Sequence, residues 1–166
     1  RNTGAINSTF ESEGGHAAGI ANIAASVTQC WNEGNIELKT VEGKSANSRV
    51  AGVATGAPVL NSANFGKVSG PTWAETGVSI GGVGTTAVSN SYNLGTVTGA
   101  EGMTHNISSG TVVNSYYADI AGKTGIYVKD SAGITDADKS QSITITEVDG
   151  KKAYKVGNVE LVDVLN

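Results

Sequence analysis

Cysteine occurs once, at Cys30, so no disulfide can close within the chain and no multi-cysteine zinc site can form. Proline occurs twice, aromatic residues make up 5% and charged residues 16% of the 166 residues. Leucine appears five times. A chain so poor in Leu, Glu and Lys is a poor helical bundle. Positive charge is also scarce: 11 Lys and Arg stand against 15 Asp and Glu, a net charge of −4. This argues against a nucleic-acid binder or a binder of anionic membranes, which need a basic surface. Apolar runs are only a handful of residues long, so no segment spans a membrane. The chain opens on Arg1 with no basic segment followed by an apolar one, and is expected to be a piece of a longer protein.

What is abundant is glycine, 23 residues, together with Val, Thr, Ser and Asn. An internal repeat organises this surplus. The segments Val27 to Ile36, Val59 to Val68 and Val88 to Val97 share the pattern V-x-(N/Q)-(S/C)-x-N-x-G-x-(V/I). A degenerate fourth copy runs from Val112 to Ile120, with Tyr117 in place of the second Asn and Asp119 in place of Gly. A partial copy, Asn2 to Ile6, opens the chain. A second element precedes each of the first three full copies: Gly19-Ile20-Ala21, Gly52-Val53-Ala54 and Gly82-Val83-Gly84. Two elements recurring in one order at nearly one period predict stacked coils of short strands, each strand pairing with its equivalent about 4.8 Å away.

Equivalent positions should then form columns. Val27, Val59, Val88 and Val112 form one internal ladder, and Ile36, Val68, Val97 and Ile120 another. Cys30, Ser62, Ser91 and Ser115 suit a tight inward corner. Asn61, Asn90 and Asn114, with Gln29, are expected to stack as an amide ladder. Gly34, Gly66 and Gly95 are expected to adopt positive φ in turns. Glu37 to Ser48, Ser69 to Thr76 and Ala100 to Thr104 read as protruding loops. From about residue 123 the repeat stops. Alternating runs on either side of Asp149-Gly150 predict a hairpin, and residues 123–166 read as a cap that covers the open strand edge of the 1–122 stack.

These residues resemble the GLUG repeat family, whose G-(G/x)-(I/V) and N-(C/S)-Y-N-x-G-x-V elements match Gly82-Val83 and Asn90 to Val97. The resemblance covers about residues 1–122. It implies an all-β, right-handed parallel β-helix or β-solenoid of about four to five coils, the first truncated. It also implies a bacterial cell-surface or secreted, adhesin-like parent protein. Some family members are immunoglobulin A-cleaving metallopeptidases whose repeats lie outside the catalytic domain.

Candidate chemistry is sparse. The stretch Glu101-Gly102-Met103-Thr104-His105 lacks the H-E-x-x-H pattern of a zinc peptidase, and His16 has no local partner. Both histidines therefore read as surface or turn residues. The acidic residues Glu33, Glu37, Glu42, Glu75 and Glu101 do not recur at ladder positions, as a glycan-cleaving carboxylate pair on one sheet face would require. Asp130, Asp136 and Asp138 could approach a Ca²⁺ ion but fit no calcium motif. Asn7-Ser8-Thr9 and Asn106-Ile107-Ser108 match glycosylation sequons. Trp31, Tyr92 and Tyr116 share one repeat position and, with Trp73 and Phe65, are candidates for a sugar-stacking surface. The expectation is a non-catalytic rigid spacer or adhesive module without cofactor or metal. Its partner, if any, is a host glycoprotein or glycan. The alternatives are an accessory domain that positions substrate for a secreted protease, and a glycan-binding or glycan-active β-helix.

Overall fold

The computed structural model describes residues 1–118, and the backbone of strands 124–131, 139–148, 151–156 and 159–161. Every regular element in these residues is a β-strand. Each repeat runs through short strands on successive faces and returns one level higher.

On one face Ile6–Phe10, Ile36–Thr40, Val68–Ser69 and Val97–Thr98 pair in parallel. On the next, His16–Ala18, Arg49–Ala51, Ser79–Gly81 and Thr104–His105 do the same. The third carries Val27–Thr28, Val59–Leu60, Val88–Ser89 and then Val112–Ala118. Beside these run Trp31–Asn32, Ala63–Asn64 and Tyr92–Asn93. The fold is therefore a parallel β-solenoid, four levels deep on each face. Equivalent serine-column positions lie 32, 29 and then 24 residues apart, so the last coil is the shortest.

The strands are short because each coil must turn several times within about 30 residues. They alternate one inward residue with one outward residue. The valine ladder is buried at all four levels, with Val27, Val59, Val88 and Val112 between 0% and 6% exposed. Ile36 and Val68 are fully buried, Val97 is half-buried, and Ile120 lies outside the described residues. Ile6 pairs with Ile36, and Asn2 bridges Asn32, so the opening Asn2 to Ile6 is the lowest rung of the stack.

The interior holds two apolar clusters. One gathers Val27, Val53, Val59, Val83, Val88, Ile107 and Val112; the other gathers Ile36, Leu38, Val50, Val68, Val78 and Ile80. Between them the coil pinches. The chain leaves the first cluster through Asn32, Asn64 and Asn93, and returns to it through Gly52 and Gly82. A Cβ on Gly52 would overlap the Asn64 side chain and the Gly82 carbonyl oxygen. Glycine is required here because two segments of one coil touch.

The loop assignments need one correction. Glu37 to Thr40 is strand, paired residue for residue with Asn7 to Phe10. The alternation Ile36-Glu37-Leu38 puts Ile36 and Leu38 in the core, and the protruding segment begins at Val41. Ser69 and Thr104 likewise belong to strands.

After Ala118 the pairing changes sense. Val112–Ala118 pairs antiparallel with Thr124–Ser131, which pairs with Lys139–Val148. Lys139–Val148 then pairs with Lys151–Val156, Val148 opposite Lys151, as the alternation around Asp149-Gly150 predicts. Asp149, Gly150, Asp136 and Asp138 lie outside the described residues.

Candidate functional site

Three columns run through the stack. The first is an amide ladder. Asn2 Nδ2 donates to Asn32 Oδ1 (2.6 Å), Asn32 Nδ2 to Asn64 Oδ1 (2.8 Å) and Asn64 Nδ2 to Asn93 Oδ1 (2.7 Å). Each of these four Nδ2 atoms also donates to the carbonyl two residues on, at Gly4, Gly34, Gly66 and Gly95. Asn32, Asn64 and Asn93 are at most 2% exposed. A buried primary amide is tolerable only when its donors and acceptor are used, and this column uses them. At the fourth level Tyr117 stands over Asn93 and replaces the amide.

This is not the column the sequence suggested. Gln29, Asn61 and Asn90 sit at a corner with φ of 53°, 47° and 48°. In the left-handed region a short amide side chain is tolerated better than most, so Asn61 and Asn90 are there for their backbone. The side chain of Asn114 is outside the described residues. The glycine expectation is corrected in the same way. Gly34, Gly66 and Gly95 are absent from the positive-φ residues, which among the described glycines are Gly14, Gly43, Gly56, Gly77 and Gly102. A Cβ on Gly66 would strike the Gly34 carbonyl oxygen, and one on Gly95 the Gly66 oxygen. These glycines are needed because consecutive coils nearly touch.

The second column is the small-residue corner. Ser62 Oγ accepts from Cys30 N (3.1 Å), Ser91 Oγ from Ser62 N (3.0 Å) and Ser115 Oγ from Ser91 N (3.1 Å). The three hydroxyls donate in turn to the carbonyls of Leu60, Ser89 and Val113. Cys30 fits because Sγ repeats that contact with Thr28 O at 3.3 Å.

The third column is Gly19, Gly52 and Gly82, with Asn106 at the fourth level. The Gly82 Cβ position would overlap Asn106 O, Ser108 bridges Gly84 and Ile107 is fully buried one level above Val83. Asn106-Ile107-Ser108 is thus the fourth copy of the second element. Its glycine is missing and its period is shortened, which is why the sequence showed only a sequon.

The aromatic candidates do not converge. Tyr92 is 1% exposed and packs edge-on against Phe65, with centroids 5.8 Å apart and planes at 83°. Trp31 is half-buried, and the Arg1 guanidinium sits 5.8 Å from its ring centroid. Arg1 Nη2 also meets both Glu33 carboxylate oxygens, at 2.6 and 2.7 Å. The side chain of Tyr116 is outside the described residues. Trp73 lies on another part of the coil, 41% exposed. Glu75 holds the neighbouring loop: Oε2 accepts from Ser45 N (2.7 Å) and Ser45 Oγ (2.9 Å).

The histidines are both in strands; His16 is half-exposed and fits its reading as a surface residue, whereas His105 is buried, which corrects its reading. His105 is 5% exposed at the end of its sheet, in register with Gly81 and Ala51. His16 Nδ1 lies 2.9 Å from Asn22 Oδ1. Among the described residues no three His, Cys, Asp or Glu side chains gather as a metal site. No helix among them is long and apolar enough to cross a membrane.

One concavity stands out that the sequence did not show. It is a cleft of ≈ 370 Å³ over the first face, with Glu37, Lys39, Thr40, Ser69, Pro71 and Thr98 on its walls. Its origin is a mismatch in strand length. Ile36–Thr40 has five residues, but the strand above it, Val68–Ser69, has two. In the register of Ile36 with Val68, the next rung to Leu38 O would come from residue 71. That residue is Pro71, which has no N–H to give. Pairing stops and a ledge remains.

The stacked parallel coils and their internal columns place the chain in the class of β-solenoid repeat proteins. A scan against protein-family models and searches of curated proteins and of solved structures found no match.

Proposed function

We propose that this chain is a non-catalytic spacer segment of a secreted or surface-exposed bacterial protein, as the resemblance to GLUG repeats implies. The observation that carries the reading is the amide column from Asn2 to Asn93. It joins the levels from Asn2 to Asn93 through side chains, buried at Asn32, Asn64 and Asn93, as well as through the strands. A coil added to such a stack extends it by about 4.8 Å and copies the same contacts, so stiffness grows with length without a new core.

Single-molecule extension between the two termini tests the mechanical part. A spacer of this kind holds its length until a discrete rupture, and Asn64→Ala lowers the rupture force. Smooth extension without a rupture would sink the reading. Surface placement is tested separately, by protease treatment of intact cells that make the parent protein. Peptides from this segment should be released before lysis.

A further inference from the structure

We propose that the cleft beneath Pro71 is a binding site for a neutral polyhydroxylated ligand, a short glycan segment, with Trp73 as its stacking platform. The inference is independent of the spacer reading, since a rod can present a ligand site or none. Four features of the cleft converge on it.

The first is its polar floor. Glu37, Ser69 and Thr98 stack in register on the outward side of one sheet, at successive levels. Ser69 Oγ and Thr98 Oγ1 are 3.1 Å apart. Lys39 Nζ reaches Glu37 Oε2 at 3.3 Å on the same strand. Donors and acceptors thus alternate over a short, flat surface. The two charges offset each other, which favours a neutral partner over a phosphate or a carboxylate.

The second is the missing rung. Leu38 lines the cleft, and Pro71 has no N–H to give the Leu38 backbone oxygen from the level above. A ligand hydroxyl can donate there instead.

The third is the rim. Trp73 directly follows the lining residue Thr72 and is 41% exposed. Val41, at the neighbouring level, is 48% exposed. An exposed indole one residue beyond a lining of hydroxyls and a carboxylate suits a pyranose, which has an apolar C–H face and a polar edge.

The fourth is size. At ≈ 370 Å³ the cleft is at the small end of ligand sites, which run from about 300 to 1,000 Å³. The open strand edge there, Leu38 to Thr40, is too short for the repeated main-chain rungs by which an added peptide strand gains affinity.

The chain has two tryptophans, Trp31 and Trp73, so Trp31→Phe leaves Trp73 as the single reporter. That variant is titrated with oligomers of β-glucan, chitin, mannan and galactan while indole emission is followed. At least one oligomer should give a saturable change. The same oligomer, followed by calorimetry on the otherwise unchanged chain, should bind about tenfold more weakly to Trp73→Ala, equivalent to about 1.4 kcal/mol. Lys39→Met and Glu37→Gln should each weaken binding about threefold, a loss in the range of one hydrogen bond to a charged group. Far-UV spectra that match the unchanged chain show that the variants are folded. The proposal is overturned if no oligomer saturates the signal, or if Trp73→Ala binds as well as the unchanged chain.

Discussion

In the second and third repeats two asparagines three residues apart do opposite work. Asn64 lies at the waist, fully buried, and its side chain makes every contact that matters: it accepts from Asn32 and donates to Gly66 O and Asn93. Asn61 lies at the corner, half-exposed, and its φ of 47° is the contribution. The same pair recurs as Asn93 and Asn90. One residue type is thus used once for its amide and once for its tolerance of left-handed backbone. The comparison shows that a repeated residue identifies a constraint without saying whether side chain or backbone obeys it.

The waist should be the more fragile of the two, and its glycine the most fragile point. Gly52→Ala pushes a methyl group into the Gly82 carbonyl oxygen and the Asn64 side chain. Neither can retreat, since one is a ladder backbone and the other is held by three hydrogen bonds. We expect a loss above about 4 kcal/mol, in the exceptional range for one substitution, seen as failure to fold or as a collapse of the denaturant midpoint. A mild effect would mean that the two segments do not touch.

Asn64→Ala should come next. It removes one partner each from Asn32 Nδ2, Asn93 Oδ1 and the Gly66 carbonyl in a dry interior, although Asn32 Nδ2 keeps Gly34 O and Asn93 Oδ1 keeps Gly95 N. At about 1–3 kcal/mol for a group left unsatisfied, partly relieved by the partners that remain, the loss should be about 3 kcal/mol by chemical denaturation. The matched change at the corner, Asn61→Ala, keeps all the ladders and forces alanine into the left-handed region, at a cost of about 1 kcal/mol. If the two substitutions cost the same, the division of labour between waist and corner is wrong.

Most of the stack was legible because its signals are periodic. The valine ladder, the small-residue corner and the partial copy at Asn2 all follow from aligning repeats, since a column in the alignment is a column in the stack. Roles within a column were harder. Both asparagines recur, and the pattern gives no sign of which points inward; the burial of Asn32 follows from its contact with Gly19 across the coil. Gly34, Gly66 and Gly95 were misread for a related reason. Glycine serves positive φ and close approach equally well, and only the neighbouring coil decides. The cleft was illegible because it depends on the absence of a rung. Pro71 was visible, but its meaning depends on the register that sets it opposite Lys39. Tyr92 was a candidate for a sugar-stacking surface and is instead buried, above the small Ala63 and edge-on against Phe65.

The weakest effect tests the corner from the other direction. Ile23 has φ of 56° and is 71% exposed. A β-branched residue is strained there, and in the register that pairs Asn22 with Thr55 the next level places Gly56, φ 69°, at the equivalent position. Relief of the left-handed strain is worth about 1–2 kcal/mol. Glycine gives back about 0.5–1 kcal/mol through the freedom it adds to the unfolded chain, and the side chain lost was mostly in water. Ile23→Gly should therefore stabilise the protein, by about 0.5 kcal/mol, read as a small rise in the denaturant midpoint at constant slope. A corner that tightens when a side chain is removed, beside a waist that fails when one is added, would confirm that backbone governs the first and contact the second. Destabilisation on removing Ile23 would instead show that its exposed side chain contributes to folding through Gly56, beside which its Cγ1 lies.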